Sequence, residues 1–183
     1  MKVHDNINSR LREFIVGQPM FFVATAPTGA DGHVNVSPKG MTGTFAVLDE
    51  LRVAYLDFHG SGAETTAHLR ENGRITLMFC AFDGKPNIVR LYGTGRVVTA
   101  TDPGYEELLA SFAAPPDLHG LRSIIDITVH RVSDSCGYAV PLMTYEGDRD
   151  LLTRWSSRRS DEDLAEYRRS KNKASIDGLP AFD

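Results

Sequence analysis

The sequence predicts a mainly β fold, a small antiparallel β-barrel with peripheral helices. About six runs rich in aromatic and β-branched residues cluster between positions 20 and 98, and one more lies at 123–132. Most are joined by short Gly-, Asp- or Pro-containing connections, which favour hairpins and antiparallel pairing. No regular alternation of strand and helix occurs, which argues against a doubly wound parallel sheet.

In chain order, residues 5–16 read as a helix with Leu11, Phe14 and Ile15 on one face, stopped by Gly17 and Pro19. MFFVATA (20–26) is a strand. PTGADG (27–32) carries turn signals, and HVNVS (33–37) completes a hairpin that Pro38-Lys39-Gly40 breaks. TFAVL (44–48) and RVAYLDF (52–58) form a second hairpin across Asp49-Glu50. ITLMFCAF (75–82) is so continuously apolar that burial on both faces is expected. NIVRLYGTGRVV (87–98) is a long strand whose Gly93 and Gly95 suit a bulge or a barrel corner. Asp102 and Pro103 open a helix over 103–113 as N-cap and first residue, and a Pro-containing loop spans 114–120. In SIIDITVHRV (123–132), Ile125, Ile127 and Val129 alternate with Asp126, Thr128 and His130. The last forty or so residues turn helical and charged, with Ser160 and Asp163 at capping-box spacing. Residues 1–135 are thus expected to form the barrel domain, and 136–183 a helical extension packed on it or on a partner.

Bulk properties narrow the function classes. Of the 183 residues, 42% are apolar and 24% charged, as in an ordinary globular domain. A formal net charge of −4 gives no broad basic surface for nucleic acid. The amphipathic N-terminus lacks a signal-peptide core and no apolar run reaches the ~18 residues of a membrane span, so a cytoplasmic protein is expected. Cys80 lies in an apolar run, a disulfide with Cys136 is not expected in a reducing compartment, and two cysteines without clustered histidines make no zinc site.

The stretch HGSGAETTAHLRENGR (59–74) carries the most chemistry. A Gly-Ser-Gly turn leads from a strand into a helix, and Ser61 and Glu64 have capping-box spacing. The unpaired N–H groups of such a helix start can receive a phosphate, helped by the Ser61, Thr65 and Thr66 hydroxyls; an ordinary capped helix is the alternative. Lys39 and Arg90 are cations that can complete an anion site, although Arg90 can equally face outward from its strand. His59 and His68 flank the turn and are expected to face solvent. Trp155 and Tyr167 are expected to dock the C-terminal helices, and Arg154, Arg158, Arg159, Arg168 and Arg169 to form a solvated face.

VNVSPKG (34–40), RVAYLDF (52–58), GSGAETTAHLREN (60–72), RITLMFCAF (74–82) and RLYGTGRVV (90–98) together resemble the pyridoxamine-5′-phosphate-oxidase-related family of FMN-binding split β-barrels. The resemblance implies a homodimer with FMN at the subunit interface, contacted by Asn35, Ser37, Lys39, Tyr55, Asp57, Ser61, Glu64, Thr65, Thr66 and Arg90. It implies a flavin-dependent oxidoreductase working by hydride transfer at flavin N5 on a small substrate. The alternatives are a non-enzymatic flavin, haem or deazaflavin carrier or sensor, and a cofactor-free dimeric module. Two departures bear on this. Where flavin-binding relatives place Arg and Lys at the helix start, this chain has Glu64 and Thr65, and a carboxylate beside a phosphate is repulsive. The C-terminal part, with SCGYAVP and SIDGLP, does not match the segment by which authentic pyridoxamine phosphate oxidases close over the flavin, so vitamin B6 oxidation is not expected.

Overall fold

The aromatic and β-branched runs pair into one sheet. The computed structural model describes residues 1–113 and 117–183. Its strands are β1 (Lys2–His4), β2 (Met20–Thr25), β3 (Asn35–Gly40), β4 (Phe45–Asp49), β5 (Arg52–Phe58), β6 (Arg74–Cys80), β7 (Ile88–Val98) and β8 (Leu121–Ser135). Its helices are α1 (Ser9–Val16), α2 (Glu64–Asn72), α3 (Tyr105–Leu109), α4 (Leu151–Ser156) and α5 (Asp161–Lys171). The sheet runs β3-β2-β6-β7-β8-β5-β4 with β1 added beside β8, every pair antiparallel, and it curls into a split barrel.

Alternation sets what the curl encloses. Phe21, Val23, Val53, Tyr55, Leu77, Phe79, Val89, Leu91, Ile125 and Ile127 point inward and form the main core, which Leu11 and Ile15 of α1 close at one end. Phe21 is its hub, with ring centroids 5.0 Å from Phe45, 5.5 Å from Tyr55 and 5.4 Å from Phe79. On the outer face of β5 and β8, Ala54, Leu56 and Ile124 meet Leu108 and Phe112 in a second cluster. Offset aromatic pairs add roughly 0.5–1.5 kcal/mol each beyond their buried area.

Several local expectations are corrected. β3 runs through Pro38 to Gly40 instead of ending at Ser37, because β3 is an edge strand, where a missing N–H does no harm. β6 is fully buried on one face, where Ile75, Leu77 and Phe79 point inward, while on the other Cys80 is buried and Thr76 and Met78 are half-buried. β7 and β8 are longer than their apolar cores. The bulge falls between Tyr92 and Gly93, where a Cβ on Gly93 would sit 2.5 Å from the Thr128 carbonyl oxygen. α3 is one short turn. Asp102 accepts hydrogen bonds from the Thr99 N–H and hydroxyl, and Gly104, at φ 81°, takes the cap position. The loop expected at 114–120 lies partly outside the described residues. The Ser160–Asp163 capping box of α5 is formed in both directions. No helix among the described residues is long and apolar enough to cross a membrane.

Candidate functional site

A buried charge cluster joins the two halves of the split barrel. Lys39 of β3 pairs in register with Phe21 and so points inward, where its Nζ donates to Asp57 Oδ1 of β5 at 3.0 Å and lies 5.8 Å from the Tyr55 ring centre. The other carboxylate oxygen accepts from Arg122 Nε, at the start of β8, at 2.7 Å. The side chains of Asp57 and Arg122 are 2% and 5% exposed. Burial alone would raise the Asp57 carboxyl, but the two cations outweigh it and hold its pKa at about 2. Burial pushes the Tyr55 hydroxyl well above its ordinary value, and the Asp57 charge adds to that. Two cations on one carboxylate leave one positive charge in excess.

A neutral hydrogen-bonded chain runs beside it. Ser37 Oγ donates to Asn35 Oδ1, and Asn35 Nδ2 donates to the Thr25 and Thr65 hydroxyls. Thr25 Oγ1 in turn lies 2.9 Å from His68 Nδ1. Thr65 and His68, three apart on α2, lie on one helix face and so reach adjacent strands. Asn35, Ser37, Lys39, Tyr55, Asp57 and Thr65 are therefore brought together. Thr66 is buried nearby. Arg90 is not among them. Its register partner Met78 pairs in turn with Phe22, which puts Arg90 on the opposite face from Lys39, where it contacts Ser135.

The turn before α2 differs from its expected form. Ser61 does not cap the helix: the N-cap is Ala63, with no side-chain bond. Glu64 turns outward and accepts the Ile176 N–H through Oε1 at 3.3 Å. Residues 172–183 roof this turn. The buried Asn172 donates to the Gly60 carbonyl at 2.8 Å, and Ala181 and Phe182 pack on Ala63 and Ala67. Asp177 ties the segment to His33 at 2.7 Å, and the Phe182 ring lies 5.1 Å from the Arg122 guanidinium carbon.

His59 and His68 are buried, contrary to expectation: His59 sits under the C-terminal helix, and His68 faces Thr25 of β2 from α2. The His59 ring bonds the Gly120 carbonyl through Nδ1 at 2.7 Å and accepts from Arg168 of α5 through Nε2 at 2.9 Å, so it is neutral. Tyr167 packs edge-on between His59 and Trp155, the sole tryptophan. Burial, reinforced by the Arg168 and Arg122 charges, lowers the His59 pKa from 6.5. A depressed pKa contributes stability that is present above 6.5 and is lost as pH falls below it towards the folded-state value. Denaturation followed by Trp155 fluorescence should thus show lower stability at about pH 5.5 than at about pH 7.5, with a smaller difference in His59→Gln.

Arg122 was missed because it lies one residue outside the alternating run that marked the strand. His59 was missed because its cover comes from more than a hundred residues away, and His68 because its partner Thr25 lies on a strand 43 residues earlier. Among the described residues no group of acidic, His and Cys side chains can hold a metal ion. Both cysteines are free thiols, Cys80 buried and Cys136 exposed.

The curled antiparallel sheet with a charged seam defines the class, a split β-barrel with a polar site where β3, β5 and the head of α2 meet. The family model described as pyridoxamine 5′-phosphate oxidase matches residues 7–136, and the chain belongs to that family. A curated relative, the pyridoxamine 5′-phosphate oxidase family protein ustO of Aspergillus flavus, is 39% identical over 193 residues, covering 98% of this chain and 77% of that protein. Among solved structures, HupZ of Group A Streptococcus superposes with a TM-score of 0.53 at 18% identity, covering 75% of this chain and 99% of that one. An FMN-binding protein of Syntrophomonas wolfei gives 0.51 at 13% identity, covering 67% and 82%. These likenesses establish the split-barrel fold.

Proposed function

We propose that this chain binds FMN, with the phosphate end of the cofactor received by the cluster of Lys39, Arg122, Thr65 and Thr66. The single observation that carries the reading is the buried cluster with one cation in excess. The donor set suits an anion: an ammonium and a guanidinium converge on one carboxylate, which the Ser123 hydroxyl also approaches at 3.4 Å, and two buried donors, Arg122 Nη1 and Thr66 Oγ1, have no partner among the described residues. Buried donors without acceptors are costly, and a phosphate supplies acceptors. Family membership and the FMN-binding neighbour support the same cofactor.

Bound flavin would supply hydride transfer at N5 to an unidentified small substrate, making the protein a flavin-dependent oxidoreductase. The chain's own residues bind and orient. Lys39 and Arg122 neutralise the phosphate, Asp57 holds both cations in place, and Asn35, Ser37 and Thr65 present neutral polar groups. We assign the working state to a homodimer. The outer sheet face carries Phe22, Met78 and Ile88 around a hollow of about 640 Å³ with Tyr138, and Val34 and Val36 on the adjacent edge are exposed. Apolar surface of this kind favours a second copy related by a twofold axis.

The cover formed by residues 172–183 favours a second reading, in which the tail fills the cofactor seat and the protein is a cofactor-free module. An absorbance spectrum taken after adding FMN and removing the excess by gel filtration separates the two. Retained flavin bands support the first reading, and a colourless protein supports the second. The spectrum of the protein as purified would also reveal haem or deazaflavin. Lys39→Ala should weaken FMN binding about 10-fold or more, since a hydrogen bond between charged groups contributes about 1.5–3 kcal/mol; a titration of flavin fluorescence checks this.

A further inference from the structure

We infer that Arg122, rather than a cation on the first turn of α2, is the main charged residue by which this chain recognises the flavin phosphate and so prefers FMN to riboflavin; the inference rests on the flavin reading above. The first turn of α2 offers Glu64, Thr65 and Thr66, none of them cationic, and Glu64 is engaged with the Ile176 N–H. A buried cation comes instead from a different element. Arg122 lies at the start of β8, its side chain is 5% exposed, and its Nε is fixed on Asp57 Oδ2 at 2.7 Å.

A guanidinium carries five N–H donors in a rigid fork that suits two oxygens of one phosphate. Here Nε is occupied by Asp57, while Nη1 is buried and has no partner among the described residues. The Phe182 ring lies 5.1 Å from the guanidinium carbon and shields it from water, which strengthens any charge-assisted bond made there. Asp57 is the positioning residue. It holds Arg122 through one oxygen and Lys39 through the other, so the two cations keep a fixed separation and one charge in excess. Riboflavin has no phosphate to use that charge.

The test is a fluorescence-quenching titration of the full chain with FMN and, separately, with riboflavin. The wild type should bind FMN at least about 10-fold more tightly than riboflavin. Arg122→Gln should abolish most of that preference by weakening FMN about 10-fold or more, while riboflavin affinity changes less than about 3-fold. Arg122→Lys keeps a cation beside Asp57, so it serves if the glutamine variant does not fold; having lost the fork, it should retain only part of the preference. With the wild-type chain alone, inorganic phosphate should compete with FMN more strongly than with riboflavin. If both flavins bind and their ratio is the same in the wild type and both Arg122 variants, the inference is overturned and the flavin reading stands. If the wild type binds neither flavin, the flavin reading falls and the inference with it.

Discussion

Replacing Asp57 with alanine should cost about 3–5 kcal/mol of stability, a large part of what a domain of this size possesses. The carboxylate is 2% exposed and is the shared partner of Lys39 and Arg122. Without it, two like charges would face each other in the barrel interior with no compensating anion, and Arg122 cannot shed its proton. Urea denaturation of the variant should show the midpoint falling with little change in slope. The exposed pair Arg154–Asp150, with side chains 57% and 68% exposed, is the contrast: Asp150→Ala should change stability by less than about 0.5 kcal/mol. Acid gives a second route to the same effect. The Asp57 pKa is held at about 2 against an ordinary 3.8, so its contribution is complete above 3.8 and is lost as pH falls towards 2. That contribution is about 2 kcal/mol in the wild type and should vanish from the acid titration of Asp57→Ala.

Phe79→Ala should be nearly as damaging, at about 3–5 kcal/mol, for a different reason. Phe79 is 1% exposed and packs against both Phe21 and Phe45, so truncation removes two of the contacts that hold the barrel's aromatic hub. The ring also walls a hollow of about 610 Å³ that opens between Ile15, Met41 and Met143, and this hollow would extend into the core. The strands that carry Phe21 and Phe79 cannot collapse to fill the gap, because β2 and β6 are each held by ladder hydrogen bonds on both sides. A thermal melt should show the midpoint lowered by about 10 °C, since each kcal/mol shifts a domain of this length by about 2–4 °C. Phe79→Leu, which keeps most of the volume, should recover more than half of the loss.

The barrel was legible because its signals are local: period-two alternation in Phe21 to Thr25 and in Ile125 to Val129, and turn residues between paired strands. Half the site was legible for the same reason. Asn35, Ser37 and Lys39 alternate on one strand, and Tyr55 and Asp57 on another, so their inward faces follow from pattern once a barrel is assumed. Besides Arg122 and the buried histidines, three features were not legible. Arg90 and Lys39 are both cations in strands, and only the register of intervening β2 and β6 shows that they face opposite ways. The Ser61–Glu64 spacing is that of a capping box, yet Glu64 finds a distant backbone N–H instead. The apolar run of β6 suggested two buried faces, but apolar composition alone does not say what lies opposite Met78.

β8 also has a temporal meaning. It pairs with β1, β5 and β7, and its partners on β5 lie some seventy residues earlier in the chain. The hairpins β2–β3, β4–β5 and β6–β7 close over short loops and can form early, and the first and last can pair through β2 and β6, but β4–β5 cannot join them until β8 is available. As the chain emerges during synthesis, the edges of β5 and β7 therefore stand open until residues 121–135 appear. Asp57 of β5 meanwhile lacks both Arg122 and, across the open seam, Lys39 of β3. Long-range antiparallel closure of this kind puts folding in the millisecond-to-second range rather than in microseconds. The exposed interval is when this protein is most open to pairing with the wrong strand, its own or a neighbour's.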